Sequence, residues 1–67
     1  MIDSITVKAA RVNRGYSQDY CASKLGISRS TYIAYENGKA VPSVNMAKDM
    51  AKLLGQDLDD IIFAARI

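Results

Sequence analysis

Gly26 divides residues 18–35 into two short segments that both have the residues expected of a helix. Because glycine adopts the left-handed backbone conformation at little steric cost, we expect the first of these helices to end at Leu25. Ser28 can begin the second, since its hydroxyl can accept a hydrogen bond from a backbone N–H of the first helical turn. The sequence therefore predicts two helices separated by a tight turn.

Each of these two helices has an apolar face. Tyr32 and Tyr35 lie three residues apart, so they share one side of the second helix. In the first, Cys21 and Ala22 lie one turn before the turn at Gly26, and Ala22 is small enough to let the helices approach closely. Two helices packed in this way form a helix-turn-helix.

Similar start and stop signals predict three more helices, and thus one all-α domain of five helices over residues 1–67. Serine or aspartate precedes the expected helices and glycine follows most of them. The expected positions are residues 5–14 between Ser4 and Gly15, a second helix capped by Ser17, a third capped by Ser28, residues 44–54 between Ser43 and Gly55, and a fifth helix after Asp57 with Leu58, Ile61 and Ile62 on its apolar face.

A set of residues in order along the chain resembles a known pattern. It consists of Ser17, Gln18, Ala22, Gly26, Ile27, residues 28–31, Tyr32, residues 35–39, Pro42 and Ser43. This spacing is similar to that of the helix-turn-helix in phage repressors and Cro proteins, and in particular to the Xre branch of that family. The likeness covers residues 5–63. It implies a lambda-repressor-like fold, with the helix-turn-helix at helices 2 and 3, in a protein that binds double-stranded DNA and regulates transcription.

Charge is unevenly distributed over the 67 residues, whose formal net charge is +2. Residues 1–39 carry six basic and three acidic side chains, a net charge of +3, and residues 40–67 carry a net charge of −1. A basic half that contains the helix-turn-helix suits a surface facing phosphates, although such a small excess is also found on ordinary solvated surfaces. With one cysteine, no signal peptide and no long apolar run, we expect a cytoplasmic protein that does not enter a membrane.

The residue types argue against catalysis and against a bound metal or cofactor. Histidine, the commonest general base and a common metal ligand, is missing from the sequence. Cys21 lies among core positions, so we interpret it as a buried structural residue rather than a nucleophile. Asp59 and Asp60 are adjacent and would point in different directions on a helix, so they do not form a carboxylate pair. An enzyme is the least favoured class of function.

If the two tyrosines face the core, the opposite side of the third helix is expected to enter the major groove of DNA. Arg29 can donate to both O6 and N7 of guanine, and Ser30 can pair with several bases. Ile33 and Ala34 can touch thymine methyl groups, although Ile33 also has a simpler interpretation as a scattered exposed apolar residue. These four residues form the predicted base-reading set.

The resemblance implies that Gln18, at the start of the second helix, binds a phosphate together with the amides of that helix end. A helix N-terminus is a natural phosphate site, and the alternative is that Gln18 is merely exposed. Asn37 and Lys39 follow the third helix, where the next phosphates would lie. The predicted phosphate-binding set is Ser17, Gln18, Ser28, Asn37 and Lys39.

The resemblance also implies an internal pair between Arg11 and Glu36, which would join the first helix to the end of the third. We interpret that pair as structural. Tyr32 and Tyr35 stand where the family usually has aliphatic residues. We expect their rings in the core and their hydroxyls at its edge, because a buried phenol needs a hydrogen-bond partner; stacking on bases is the alternative.

One module of this size offers a DNA interface of only about 600–1,000 Å². We therefore expect a homodimer on a near-palindromic operator, acting most simply as a repressor. The apolar segment Phe63–Ile67 is expected to support self-association or to bind a protein partner, unless it packs back on the fourth helix. Two other functions remain open: an antitoxin or partner-binding helix-turn-helix module, and the controller protein of a restriction–modification system.

Overall fold

Four α-helices make up most of residues 5–62, the part of the chain that the computed structural model of this protein describes. They are α1 (Val7–Arg14), α2 (Gln18–Leu25), α3 (Arg29–Asn37) and α4 (Val44–Leu54), and they are followed by a short 3-10 helix at Leu58–Asp60. Two strands of two residues each, β1 (Ile5–Thr6) and β2 (Ile61–Ile62), pair in parallel, with Ile5 opposite Ile61.

The predicted starts of α2, α3 and α4 are confirmed. In each case the hydroxyl of a serine accepts a hydrogen bond from the backbone N–H three residues later, which satisfies a donor that the helix itself leaves free. The bonds run from Tyr20 to Ser17 at 3.0 Å, from Thr31 to Ser28 at 3.1 Å and from Met46 to Ser43 at 3.1 Å.

The predicted turn at Gly26 is also confirmed. Gly26 has a φ of +71°, and its N–H donates to the Ser23 carbonyl at 3.2 Å. The N–H of Ile27 donates to the Ala22 carbonyl at 3.1 Å. These two bonds satisfy carbonyls at the end of α2 and aim the chain directly into α3.

The predicted start of the first helix is wrong. The helix begins at Val7 rather than at residue 5, and its cap is Thr6, whose Oγ1 accepts a hydrogen bond from the Ala9 N–H at 3.0 Å. Ile5 and Thr6 are extended because they pair with residues 61–62. Ser4, the expected cap, lies outside the described residues.

The predicted fifth helix is also wrong. Only three residues form a 3-10 helix, and the Asp57 side chain makes no capping hydrogen bond. Ile61 lies in β2, where it is buried, whereas Leu58 is exposed. The β-branched pair Ile61–Ile62 suits an extended strand, and pairing with β1 satisfies its backbone. Residues 63–67 lie outside the described part of the chain.

The core is enclosed by the four helices. In it, α2 packs against both α3 and α4, and α1 packs on α4. Cys21 is buried in it, as predicted. Val44, in the first turn of α4, is exposed, and the fully buried residues of this helix begin at Ala47. The central buried cluster consists of Val7, Ala10, Cys21, Ala22, Tyr32, Met50, Leu54 and Ile61.

Candidate nucleic-acid interface

The side of α3 that faces away from the core carries the four residues predicted to read bases. Arg29 and Ser30 lie in the first turn and are exposed, the Arg29 side chain to 61%. Ile33 and Ala34, one turn later, are half-buried. The N-terminal end of α3 is therefore its most accessible part, which is the end that a helix-turn-helix presents first to a major groove.

A recess of about 450 Å³ is lined by both ends of α3, by Arg29 at its start and by Glu36 and Asn37 at its end. Three helices contribute to it, and it brings together three of the predicted phosphate-binding residues, Ser17, Gln18 and Asn37. The remaining two, Ser28 and Lys39, are exposed but lie outside its lining. The lining consists of Lys8, Arg11, Ser17, Gln18, Asp19, Arg29, Glu36 and Asn37.

The Glu36 carboxylate lies in the lining of this recess, and its side chain is only 3% exposed. Arg11 donates to it through Nε at 2.9 Å and through Nη2 at 3.1 Å, so the two side chains form a bidentate ion pair. The Arg11 Nη1 donates to the Tyr16 carbonyl at 2.9 Å, in the turn between α1 and α2. The pair thus joins α1 to the end of α3, as the sequence resemblance implied.

The charges of this pair are stabilised by their contacts. Burial by itself would raise the pKa of Glu36, but the hydrogen bonds from Arg11 and Gln18 outweigh it and hold the pKa below its ordinary value. The hydrogen bond to Glu36 raises the pKa of Arg11. Glu36 is therefore ionised at neutral pH, and most of its acceptor positions are occupied within the protein.

Gln18 is held in one orientation by Glu36. Its Nε2 donates to Glu36 Oε2 at 3.1 Å, and because a carboxylate only accepts, the amide must present nitrogen on that side. The second N–H of Nε2 is left for another acceptor. The backbone N–H groups of Gln18 and Asp19, in the first turn of α2, have no partner within that helix. Gln18 is half-buried and is thus more than an exposed polar residue.

Two charged residues of the recess were missed by the sequence-based prediction. Lys8 lies three residues before Arg11, so the helical spacing of the first helix contained the signal that places the two side chains on one face. Asp19 had no role in the predicted site, but its Oδ1 lies 3.1 Å from Arg29 Nε. That contact joins two helices, so the pattern within either one does not predict it.

The expected position of the Tyr32 hydroxyl is wrong. Tyr32 is fully buried, and its hydroxyl has no hydrogen-bond partner within the described part of the chain. Glu36 and Cys21 lie beside it without meeting the geometry of a hydrogen bond. Burial raises the pKa of this phenol, so it stays neutral. The ring of Tyr32 is core and unavailable to stack on bases.

Two helices joined at Gly26, with the N-terminal end of the second exposed beside a polar recess, define a helix-turn-helix domain. The family model described as helix-turn-helix matches residues 7–61 of the chain. The chain belongs to this family, in its Cro and phage repressor type. None of the helices within residues 5–62 has the length and apolar character needed to cross a membrane.

The relatives that this chain resembles are named as regulators of transcription. An HTH-type transcriptional regulator of Methanocaldococcus jannaschii is 42% identical over 55 residues, which is 82% of this chain and 83% of the relative. A prophage-derived HTH-type transcriptional regulator of Bacillus subtilis is 38% identical over 84% of this chain, and the phage CTXphi transcriptional repressor RstR of Vibrio cholerae is 29% identical over 88%. The chain spans about half the length of these last two, 52% and 53%.

Proposed function

We propose that this protein binds double-stranded DNA in a sequence-specific manner through α2 and α3 and thereby regulates transcription, most simply as a repressor that occupies its operator. The observation that carries this proposal is the exposed N-terminal end of α3, with Arg29 and Ser30, next to a recess that contains the free end of α2. A phosphate at that end of α2 would bring the first turn of α3 to the base edges.

The residues of this surface have separate tasks in the proposal. Arg29, Ser30, Ile33 and Ala34 read bases, whereas Ser17, Gln18, Ser28, Asn37 and Lys39 contact the backbone. The Nε2 of Gln18 is suited to a phosphate because Glu36 already orients it. Lys8, in the lining of the recess, adds a positive charge to the same surface. Phosphate contacts of this kind set the register of the protein on the duplex.

The proposal includes two copies of the chain, each a single domain, on a near-palindromic operator. One domain covers too few base pairs for high selectivity, and a two-fold dimer doubles the number that are read. The name of the CTXphi relative, a transcriptional repressor, supports repression as the mode of action.

Selection of bound sequences from a random duplex pool tests the proposal as a whole. We expect an enriched near-palindrome whose half-sites are about 34 Å apart. Enrichment of a single half-site would contradict binding as a dimer. A pool without any sequence preference after several rounds would contradict specific DNA binding.

Arg29→Ala tests base reading. Because a bidentate contact to guanine gives about 1–3 kcal/mol of discrimination, the variant should lose that amount on the selected site and much less on a site already altered at the same base pair. The measurement is a titration on the selected duplex and on its single-base variants. Equal weakening on every duplex would identify Arg29 as a phosphate contact and transfer specificity to Ser30, Ile33 and Ala34.

Gln18→Ala and Lys39→Ala test the backbone contacts. Both should weaken binding to all sequences alike, because phosphates carry no sequence information. Lys39→Ala should also reduce the slope of log K against log salt concentration by about one unit, whereas the uncharged Gln18 should leave the slope unchanged. A loss confined to one duplex sequence would contradict the assignment of either residue.

A further inference from the structure

We propose that Asp19 is a positioning residue for base recognition, which holds the Arg29 guanidinium so that its two terminal nitrogens face one base. The inference rests on the proposed function, in which Arg29 reads a base. It follows from the contact between the two side chains, because Asp19 Oδ1 lies 3.1 Å from Arg29 Nε.

The contact of Asp19 with Nε leaves the two terminal nitrogens of Arg29 available for a base. A guanidinium carries one N–H on Nε and two on each terminal nitrogen, all in one plane. The Asp19 carboxylate lies against the Nε of this group, and the end formed by Nη1 and Nη2 can still present two parallel donors. Guanine offers O6 and N7 as two adjacent acceptors in the major groove, which is the partner that such a pair of donors fits.

Asp19 is well placed to act as a fixed support. It stands in the first turn of α2, beside Gln18, which is anchored on Glu36. Its own side chain is short, whereas that of Arg29 is long and would otherwise sample many rotamers. Because α2 is the helix expected to bind the phosphate, the contact would fix the Arg29 donors relative to the DNA backbone and not only relative to α3.

The contact is weak in the free protein and would become stronger on DNA. The side chains are 75% exposed at Asp19 and 61% at Arg29, and exposed ion pairs contribute little because water screens them. A duplex against this surface would exclude water, and the attraction between charges rises as the local dielectric constant falls. The support would therefore act mainly in the complex.

Asp19 should also lower the affinity for DNA in general. Its carboxylate lies at the end of α2 where a phosphate is expected, and like charges repel. The residue would thus weaken binding to every duplex while it improves the choice between duplexes, since specificity is a difference between affinities. This pair of opposite effects distinguishes a positioning role from a purely electrostatic one.

The test is a double-mutant cycle with the full chain on DNA. Dissociation constants are measured for the unaltered protein, Asp19→Ala, Arg29→Ala and the double variant, on the selected site and on the same site altered at the base pair that Arg29→Ala identifies. The ratio of the two constants is the discrimination, and a bidentate arginine should supply roughly 5- to 150-fold of it. Asp49→Ala on α4, which also removes an exposed carboxylate, is the matched control.

We expect Asp19→Ala to lower the discrimination several-fold and to tighten binding to the altered duplex, and we expect no further loss of discrimination when it is added to Arg29→Ala. Asp49→Ala should leave the discrimination unchanged. The positioning role is overturned if Asp19→Ala changes both constants by the same factor. The single variant Arg29→Ala, which keeps Asp19, tests the proposed function separately. If it leaves the discrimination intact, Arg29 does not read a base, and the proposed function is wrong on that point.

Discussion

Tyr32 is the residue whose environment differs most from what its chemistry favours. Its ring belongs to the central buried cluster, which also contains small residues such as Ala10 and Ala22. Its hydroxyl is buried there without a hydrogen-bond partner among residues 5–62. A buried hydroxyl that loses its water without gaining a partner costs free energy, so the apolar ring stabilises the fold while the oxygen opposes it.

Replacing this oxygen should therefore not harm stability. We expect Tyr32→Phe to leave the free energy of unfolding unchanged or to raise it by up to about 1 kcal/mol, because the ring is kept and an unpaired polar group is removed. Tyr35→Phe on the same helix is the control, since Tyr35 is only half-buried, and it should have little effect. Urea unfolding of the three proteins gives the comparison. A loss of more than about 1 kcal/mol for Tyr32→Phe would mean that the hydroxyl does have a partner.

The burial of Tyr32 was predictable, whereas the state of its hydroxyl was not. Its spacing from Tyr35 on one helix places the ring on the inner face by local periodicity alone. How deep the oxygen lies depends on how closely α1, α2 and α4 approach α3, which the sequence of α3 does not contain. The contact of Asp19 with Arg29 was missed for the same reason.

At the level of the helices, Glu36 is the point at which three of them meet. It belongs to α3, pairs with Arg11 of α1 and accepts a hydrogen bond from Gln18 of α2. The same carboxylate thus fixes both the packing of α1 and the orientation of the side chain proposed to hold a phosphate. Removing it should reduce stability and DNA binding together.

Glu36→Ala should lower the free energy of unfolding by about 1.5–3 kcal/mol, since it leaves Arg11 without its charged partner. For a domain of this size that corresponds to a fall in Tm of more than about 6 °C. Thermal unfolding followed by circular dichroism measures it. An unchanged Tm would show that water replaces the carboxylate without cost.

The pH dependence of Glu36 follows from its lowered pKa. The unfolded chain should titrate near its ordinary value, about 4.3, and the folded protein below it. The stabilisation from this group is therefore fully present above about pH 4.3 and is lost as the pH falls through the folded pKa. We expect the stability difference between the unaltered protein and Glu36→Gln to shrink over that acidic range. A difference that stays constant from pH 7 to pH 3 would contradict the shift.

The helix boundaries could be predicted wherever a local signal sets them. Ser17, Ser28 and Ser43 start their helices, and Gly26 ends α2, through hydrogen bonds that span only a few residues. The strands β1 and β2 could not be predicted in this way, because their pairing joins positions 5 and 61 across almost the whole chain. At both sites a helix was expected where this distant contact makes the chain extended.

At the scale of the whole molecule, the pairing of β1 with β2 closes the domain. It brings the start of the described chain against its end and adds Ile61 to the buried cluster. Residues 63–67 follow directly and lie outside the described part. Two truncations can therefore separate the closure of the fold from self-association, which the sequence predicts for residues 63–67.

Deletion of residues 63–67 should leave the β1–β2 pairing and a cooperative thermal transition, but reduce the mass measured by sedimentation from dimer to monomer.

Deletion of residues 61–67 should in addition remove the buried Ile61 side chain, whose loss by itself lowers the free energy of unfolding by about 2–5 kcal/mol. The total stability of a domain this small is about 3–10 kcal/mol, so we expect this shorter chain to lose a large part of its stability and to melt well below the full chain. The shorter truncation controls for the loss of tail residues in the longer one. If the full chain is already a monomer at tens of micromolar, residues 63–67 do not support self-association, and if the longer deletion melts like the full chain, β2 does not stabilise the fold.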